Sequence, residues 1–260
     1  MYTFGIDIGS TTSKCVVMKD GNQIAGKSLL TGGIGTRSPA EAVKLAMEDA
    51  HVLREDLSAI AATGYGRTRY EDADYQVSEL SCHGLGAFFI FPGVRTIIDI
   101  GGQDAKVISL DDRGRMKNFL MNDKCAAGTG RFLDVMANIL AITVGELETY
   151  SAQAKEPARI SSTCTVFAES EVISQLAGGI EIPDLVAGIC QSVAGRVSAL
   201  AKRISIVPEV CMSGGVAQNA GVRDALSEKI GHSILFSPYA QLFGAIGAAI
   251  YAYDKKIKEQ

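Results

Sequence analysis

Apolar residues along this chain recur at two spacings. Short, nearly continuous apolar runs at Thr3–Ile8 and Cys15–Met18 predict strands, with Asp20-Gly21-Asn22 as the hairpin turn between them. Pro39–His51 has helical spacing and carries its proline near the first turn. Ala59–Ala62 and Thr96–Ile100 are short apolar runs of the buried-strand type, whereas Phe132–Leu140, Glu169–Leu176 and Leu185–Ile204 repeat at helical spacing. Val207–Met212 predicts a strand that runs into Gly214-Gly215. Strands and helices mixed in this order predict an α/β fold.

One pattern occurs twice. Ile6-Asp7-Ile8-Gly9-Ser10-Thr11-Thr12-Ser13-Lys14 returns as Ile98-Asp99-Ile100-Gly101-Gly102-Gln103-Asp104-Ala105-Lys106, with Ile, Asp, Ile, Gly and Lys at equal offsets. Each copy ends one apolar strand and leads into another, Cys15–Met18 or Val107–Leu110. A duplicated half is the expectation, with one hairpin per lobe and a cleft between the lobes. Small residues at a hairpin tip let backbone N–H groups approach phosphate oxygens, which Gly9, Ser10, Thr11 and Thr12 offer in the first copy and Gly101 and Gly102 in the second. An Asp just before each tip suits Mg²⁺ held through water. A third segment, Met212-Ser213-Gly214-Gly215-Val216-Ala217-Gln218-Asn219, would let a flat ring lie against paired glycines. The chain has no Gly-x-x-x-x-Gly-Lys-[Ser/Thr] run, and Gly128-Thr129-Gly130 lacks the third glycine of a dinucleotide fingerprint.

Composition narrows the partners. The 260 residues suffice for one large domain or two lobes, and 47% are apolar, as in an ordinary globular protein. A formal net charge of −4 without a basic block argues against nucleic acid. Tyr239–Tyr253 is too short and interrupted to span a bilayer, and Met-Tyr-Thr-Phe-Gly-Ile-Asp at the start has neither a basic n-region nor an apolar h-region. No membrane association and a cytoplasmic, reducing location are therefore expected, where six cysteines are free thiols or metal ligands before they are disulfides.

Two cysteines stand apart. Cys125, in Asn122-Asp123-Lys124-Cys125-Ala126-Ala127-Gly128, and Cys164, in Ser161-Ser162-Thr163-Cys164-Thr165-Val166, lie in small polar surroundings immediately before predicted helices. A helix N-terminus favours a thiolate or an anionic iron–sulfur cluster. Cys15, Cys82, Cys190 and Cys211 read as small buried hydrophobes. Two thiolates cannot complete a four-cysteine cluster, but two chains about a two-fold axis can, which predicts one cluster per homodimer.

The paired Asp-x-Gly hairpins and the later Gly-Gly-x-Ala-x-Asn resemble the actin, hexokinase and Hsp70 ATPase superfamily, with its two-lobed, ribonuclease H-like duplicated domains and a nucleotide cleft. Ser78-Glu79-Leu80-Ser81-Cys82-His83-Gly84 matches a connecting motif, placing Glu79 near the attacking water. Gln241-Leu242-Phe243-Gly244-Ala245-Ile246-Gly247-Ala248-Ala249 looks like the small-residue helix at the interlobe hinge. The resemblance implies a first lobe at 1–92 with a returning helix at 244–260, and a second lobe at 93–243. It implies catalytic roles for Asp7, Glu79, Asp99, Gln103 and Asp104. Nucleotide contacts fall at Gly9, Ser10, Thr11, Thr12, Ser13, Lys14, Gly101, Gly102, Gly214, Gly215, Ala217, Gln218, Asn219 and Gln241.

Three strings are more specific: Ile-Asp-Ile-Gly-Gly-Gln-Asp, Asn-Asp-Lys-Cys-Ala-Ala-Gly-Thr-Gly-Arg-Phe and Ser-Ser-Thr-Cys-Thr-Val-Phe-Ala-Glu-Ser-Glu-Val. They are similar to the activator component of 2-hydroxyacyl-CoA dehydratases of amino-acid-fermenting anaerobes. That likeness implies a homodimeric ATPase with one [4Fe–4S] cluster held by Cys125 and Cys164 of each chain, using ATP/ADP and Mg²⁺. It further implies electron loading by reduced ferredoxin or flavodoxin and ATP-driven one-electron transfer into the dehydratase. The alternatives are the ATPase subunit of a benzoyl-CoA reductase, a sugar or acetate kinase, and a chaperone-like ATPase module.

Overall fold

The computed structural model describes all residues except Ser162, Thr163 and Gln260. The chain forms two compact units. The first comprises Met1–Val94, Leu110–Lys117 and Ser237–Gln260; the second comprises Arg95–Ser109 and Asn118–Phe236.

In chain order the first unit begins β1 (Tyr2–Ile8), β2 (Thr12–Lys19), β3 (Gln23–Thr31), α1 (Ser38–Ala50), β4 (Leu57–Thr63), β5 (Tyr75–Gln76) and α2 (Glu79–Ile90). Next come β6 (Thr96–Ile100), β7 (Ala105–Leu110), β8 (Met116–Asn122), α3 (Gly130–Ile139), α4 (Glu146–Ala152), α5 (Thr165–Ala177) and α6 (Ile182–Ala201). The remaining elements are β9 (Val210–Ser213), α7 (Ala220–Ile230), β10 (Ile234–Leu235) and α8 (Phe243–Lys258). No helix among the described residues is long and apolar enough to cross a membrane.

The two sheets repeat one plan. The first has the order β3-β2-β1-β4-β5 and the second, read from its other edge, β8-β7-β6-β9-β10. In both, the first two strands pair antiparallel and the first and fourth pair parallel. The registers also match: Asp7 faces Lys14 and Thr63 across its two neighbours, and Asp99 faces Lys106 and Ser213. The sequence echo is thus a structural duplication.

The first sheet buries both faces, which is why its strands read as continuous apolar runs. Phe4, Ile6, Ile8, Ile60 and Ala62 point to Ala42 and Ala46 of α1, while the alternate residues Ala59 and Ala61 meet Ala248 and Ala252 of α8. Small residues set the approach of α8. A Cβ at Gly5 would fall on the Ala245 carbonyl, one at Gly247 on the Cys82 carbonyl, and one at Gly86 on the Phe243 carbonyl.

The expected turn at Asp20-Gly21-Asn22 is present, but it joins β2 to β3. The strands at 3–8 and 15–18 are joined by the Gly9–Thr11 tip instead. The apolar pattern does not announce β3, because the polar positions Gln23, Lys27 and Ser28 mask its strand character at the sheet edge.

Candidate active site

Both hairpins close in the same way: Gly9 N donates to Thr12 O at 3.0 Å, and Gly101 N to Asp104 O at 2.9 Å. Behind each tip lies an ion pair fixed by register. Lys14 Nζ sits 3.0 Å from Asp7 Oδ2, and Lys106 Nζ lies 3.3 Å from Asp99 Oδ2 and 2.8 Å from Asp104 Oδ2. Ser213 Oγ donates to the other oxygen of Asp99 at 2.7 Å. Both Asp99 oxygens are therefore engaged by protein groups, so Asp99 organises its hairpin and its neighbour strand. Asp7 takes the Lys14 ammonium at Oδ2 and turns Oδ1 toward the glycine that follows β4, which makes it the better placed of the two for a hydrated cation.

Sequence reasoning missed Gly64, the counterpart of Gly214 that the duplication exposes. Gly64, at φ +81, and Gly214, at φ +84, follow the equivalent strands β4 and β9. A Cβ at Gly64 would meet Asp7 Oδ1 and the Ile8 carbonyl, and one at Gly214 would meet Asp99 Oδ1 and the Ile100 carbonyl. Gly214-Gly215 therefore has a counterpart in Gly64-Tyr65-Gly66. The signal was available as Thr-Gly and Ser-Gly at matching offsets after the two parallel strands.

The Gly214–Asn219 segment is a tight turn running into α7, with Asn219 as its N-cap: Asn219 Oδ1 accepts from Val222 N at 3.0 Å. Asn219 is only 7% exposed and its Nδ2 has no hydrogen-bond partner among the described residues, an orphaned donor of the kind a ligand satisfies. Arg223 Nη1 donates to Ala217 O at 2.5 Å and fixes the same turn. Gln218 and Gln103 are exposed, whereas Gly215 and Gly102 lie at the two turns that expose backbone. In the first unit, Glu79 opens α2, Ser13 Oγ donates to Gly32 O at 2.7 Å, and Gln241 lies in the short turn before α8.

The cysteines divide as expected. Cys15, Cys82, Cys190 and Cys211 are buried, whereas Cys125 and Cys164 are exposed. Burial drives the Cys82 thiol up to about 12 and the Cys190 thiol up to about 11, and raises Cys15 and Cys211 further still. Cys164 is the N-cap residue of α5, and its carbonyl accepts from Ala168 N at 2.9 Å. Ser162 and Thr163 of its segment lie outside the described residues.

Cys125 corrects an expectation: it stands in the loop after β8, five residues ahead of α3, whose N-cap is Thr129. The intervening turn exists because Gly128 takes φ +104 and Thr129 Oγ1 donates back to Ala126 O at 2.6 Å. The helix-terminus argument therefore applies directly to Cys164 alone. The α3 start is bound to the second hairpin, Gly130 N donating to Gly101 O at 2.8 Å and Arg131 N to Gly102 O at 2.9 Å. Helices α3 and α5 pack on each other, so the two cysteine segments precede neighbouring helices of the second unit. Among the described residues no three His, Cys, Asp or Glu side chains converge on a metal-sized point. Two exposed thiols are the donor set one chain offers, half of what a four-thiolate cluster takes.

Two like sheets, each presenting an Asp–Lys hairpin with an amide-lined tip and a glycine turn beside its aspartate, define an ATPase of the actin and hexokinase type. Residues 4–252 match the BadF/BadG/BcrA/BcrD ATPase family, and the chain belongs to it. It is 58% identical over 259 residues, 99% of each chain, to the (R)-2-hydroxyglutaryl-CoA dehydratase activating ATPase of Acidaminococcus fermentans. It is 33% identical over 263 residues, 96% of this chain and 92% of the relative, to a subunit of the benzoyl-CoA reductase of Thauera aromatica. The solved activator of the 2-hydroxyisocaproyl-CoA dehydratase from Clostridium difficile with bound ADPNP superposes with a TM-score of 0.97 at 53% identity, covering 100% of this chain and 97% of that one.

Proposed function

We propose that this chain is the ATP-dependent activator of a 2-hydroxyacyl-CoA dehydratase, a homodimeric ATPase that drives a low-potential electron into its partner enzyme. The observation that carries the reading is the end-to-end similarity, at 58% identity, to an activating ATPase of that kind, on a chain with two exposed thiols, one of them in the loop that leads into the helix bound to the second hairpin.

The hairpin tips at Gly9–Thr12 and Gly101–Gly102 bind the phosphates through backbone amides, and Asp7 orients the water shell of Mg²⁺. Glu79 orients the attacking water. Asn219 Nδ2 and the Gly214-Gly215 backbone hold the nucleoside. Cys125 and Cys164 of each chain would hold a [4Fe–4S] cluster, which supplies one-electron redox chemistry when bound. The α5 N-terminus brings free amides and positive partial charge to the Cys164 sulfur. Val166 and Phe167, 66% and 68% exposed on the first turn of α5, give the dimer an apolar contact surface beside it. Nucleotide at the second hairpin is felt at the Cys125 loop through the Gly130 and Arg131 amides, because a shift of the tip carbonyls must carry the α3 start with it. Reduced ferredoxin or flavodoxin loads the electron.

Anaerobic reconstitution tests the reading. The expected protein is a brown homodimer with about two irons per chain. Cys125→Ser and Cys164→Ser abolish iron binding, whereas Cys15→Ser, Cys190→Ser and Cys211→Ser retain it. ATP together with reduced ferredoxin restores activity to an inactive 2-hydroxyacyl-CoA dehydratase. A colourless monomer with full ATPase activity would mean a nucleotide enzyme of another kind.

A further inference from the structure

Of the three histidines only His83 is buried, at 8% exposure, and the hydrolytic scheme above gives it no task. His83 stands one helical turn after Glu79 on α2, so the two side chains leave the same face of that helix. Facing it is the start of α8 at Gly244. A Cβ at Gly244 would stand 2.7 Å from Asp7 Oδ2 and 3.3 Å from His83 Nε2. No methyl group fits there without pressing on the Asp7 carboxylate, and the imidazole nitrogen borders the same position.

Asp7 Oδ2 is the oxygen that also takes the Lys14 ammonium at 3.0 Å, and Gly64 closes in on Oδ1 from the opposite side. The carboxylate is thus bordered by two glycines and one ammonium, and it shares the Gly244 position with the imidazole nitrogen of His83. A hydrocarbon side chain in place of the imidazole would turn an apolar wall toward an ionised oxygen, which is costly in a buried site. A short, stiff ring with a polar nitrogen meets the requirement.

We propose that His83 is a positioning residue for nucleotide hydrolysis: with Gly244 it fixes the orientation of the Asp7 carboxylate, and of Glu79 one turn away, toward the hydrated cation and the attacking water. The inference rests on the ATPase reading and deepens it by naming what holds the first hairpin's aspartate in place.

The test is steady-state ATP hydrolysis by the iron-loaded dimer of His83→Leu, His83→Gln and Gly244→Ala, with iron content and melting temperature measured on the same samples. In His83→Leu, kcat falls about ten- to a hundredfold, the range typical of groups that orient a ligating carboxylate, while KM for ATP stays within about threefold. Glutamine sets an amide nitrogen near the place of Nε2, so His83→Gln regains most of the lost kcat. Gly244→Ala lowers kcat with His83 unsubstituted, because its methyl group presses on Oδ2. Iron content stays at the parental value throughout. A parental kcat in His83→Leu overturns the inference, as does a His83→Gln variant no better than His83→Leu, which would mark the ring as core packing. Should Gly244→Ala fail to fold, the Leu and Gln pair decides alone. A parent protein that turns over no ATP overturns the ATPase reading as well, an outcome separate from active His83 variants.

Discussion

Replacing Lys106 with methionine keeps the length of the side chain and removes only its charge. In the folded protein this ammonium lies between the carboxylates of Asp99, at 3.3 Å, and Asp104, at 2.8 Å, and all three side chains are at most 6% exposed. Lys106→Met therefore strands two buried carboxylates at once. Breaking a buried pair by removing one partner costs about 3–5 kcal/mol. For a chain of this size, about 2–4 °C of melting temperature goes with each kcal/mol, so the expected drop is about 6–20 °C. The twin position supplies the control: among the described residues Lys14 is ion-paired with Asp7 alone, so Lys14→Met strands one carboxylate instead of two and costs about half as much. Scanning calorimetry of both variants, with nucleotide absent, reads the difference. The triple variant Lys106→Met, Asp99→Asn, Asp104→Asn discriminates further. If stranded charge is the cause, neutralising both carboxylates recovers most of the loss even though the ion pairs stay absent. A Lys106→Met protein melting within about 2 °C of the parent, or a triple variant no more stable than the single one, would refute the reasoning.

Three further outcomes follow from the same geometry. Cys125 and Cys164 are exposed, whereas Cys82 is buried and raised to about 12, so that only one part in ~10⁴ of it is ionised at pH 8; pulsed iodoacetamide on the iron-free native protein should label Cys125 and Cys164 and leave Cys82 almost untouched, and equal labelling of Cys82, seen by peptide mass spectrometry, would contradict its burial. Asn219→Ala removes the α7 cap and the orphaned amide together, so it should cost about 1 kcal/mol in urea unfolding and raise the Kd for ADP severalfold by calorimetry, whereas a cap-only role leaves Kd unchanged. Asp111 is held below the ordinary carboxylate range chiefly by the Arg115 amide, then by the Arg113 amide and the Arg115 guanidinium; its stabilising contribution is full above the unfolded value near 4 and is lost as pH falls through the lower folded value, so the urea midpoints of Asp111→Asn and the parent should differ at pH 7 and converge toward pH 2.

Much of this organisation was legible because the chain repeats itself. Ile-Asp-Ile-Gly and the downstream Lys located both hairpins, and the Asp–Lys offset carried over unchanged into strand register. Thr96–Ile100 was bounded correctly because it is buried throughout and is flanked by a charged residue, Arg95, and by the glycines of the hairpin tip. Edge elements were illegible for the converse reason. β3 exposes Gln23, Lys27 and Thr31 and β8 exposes Lys117 and Asn118, α4 is only seven residues long, and α7 has a mixed composition in which no apolar stripe dominates. The cysteines were separable by neighbours alone, since Cys15 and Cys211 lie among β-branched and apolar residues whereas Cys125 and Cys164 do not. What the string could not reveal was the turn between Cys125 and its helix. That turn depends on a glycine at φ +104 and a threonine hydroxyl folding back, and residues of both types are equally common inside a helix start.

The duplicated halves are alike in their sheets and unlike in what their hairpin tips hold. The first tip is bound to the loop after β3: Gly32 N donates to Thr11 O at 2.7 Å and Ile34 N to Gly9 O at 2.9 Å. Gly33 fits there only because it has no side chain, since a Cβ would fall on the Gly9 carbonyl. The second tip gives the carbonyls of Gly101, the counterpart of Gly9, and of Gly102 to the first amides of a helix, α3. A loop can absorb a shift of one or two tenths of an ångström by small backbone rotations, but a helix moves as a body because its hydrogen bonds are internal. Under the proposed function the same phosphate contact therefore has different consequences in the two copies: at the first it is held locally, and at the second it is passed to the element that follows Cys125. Duplication would then supply two equivalent grips on the nucleotide, and the replacement of a loop by a helix at one of them makes that grip directional.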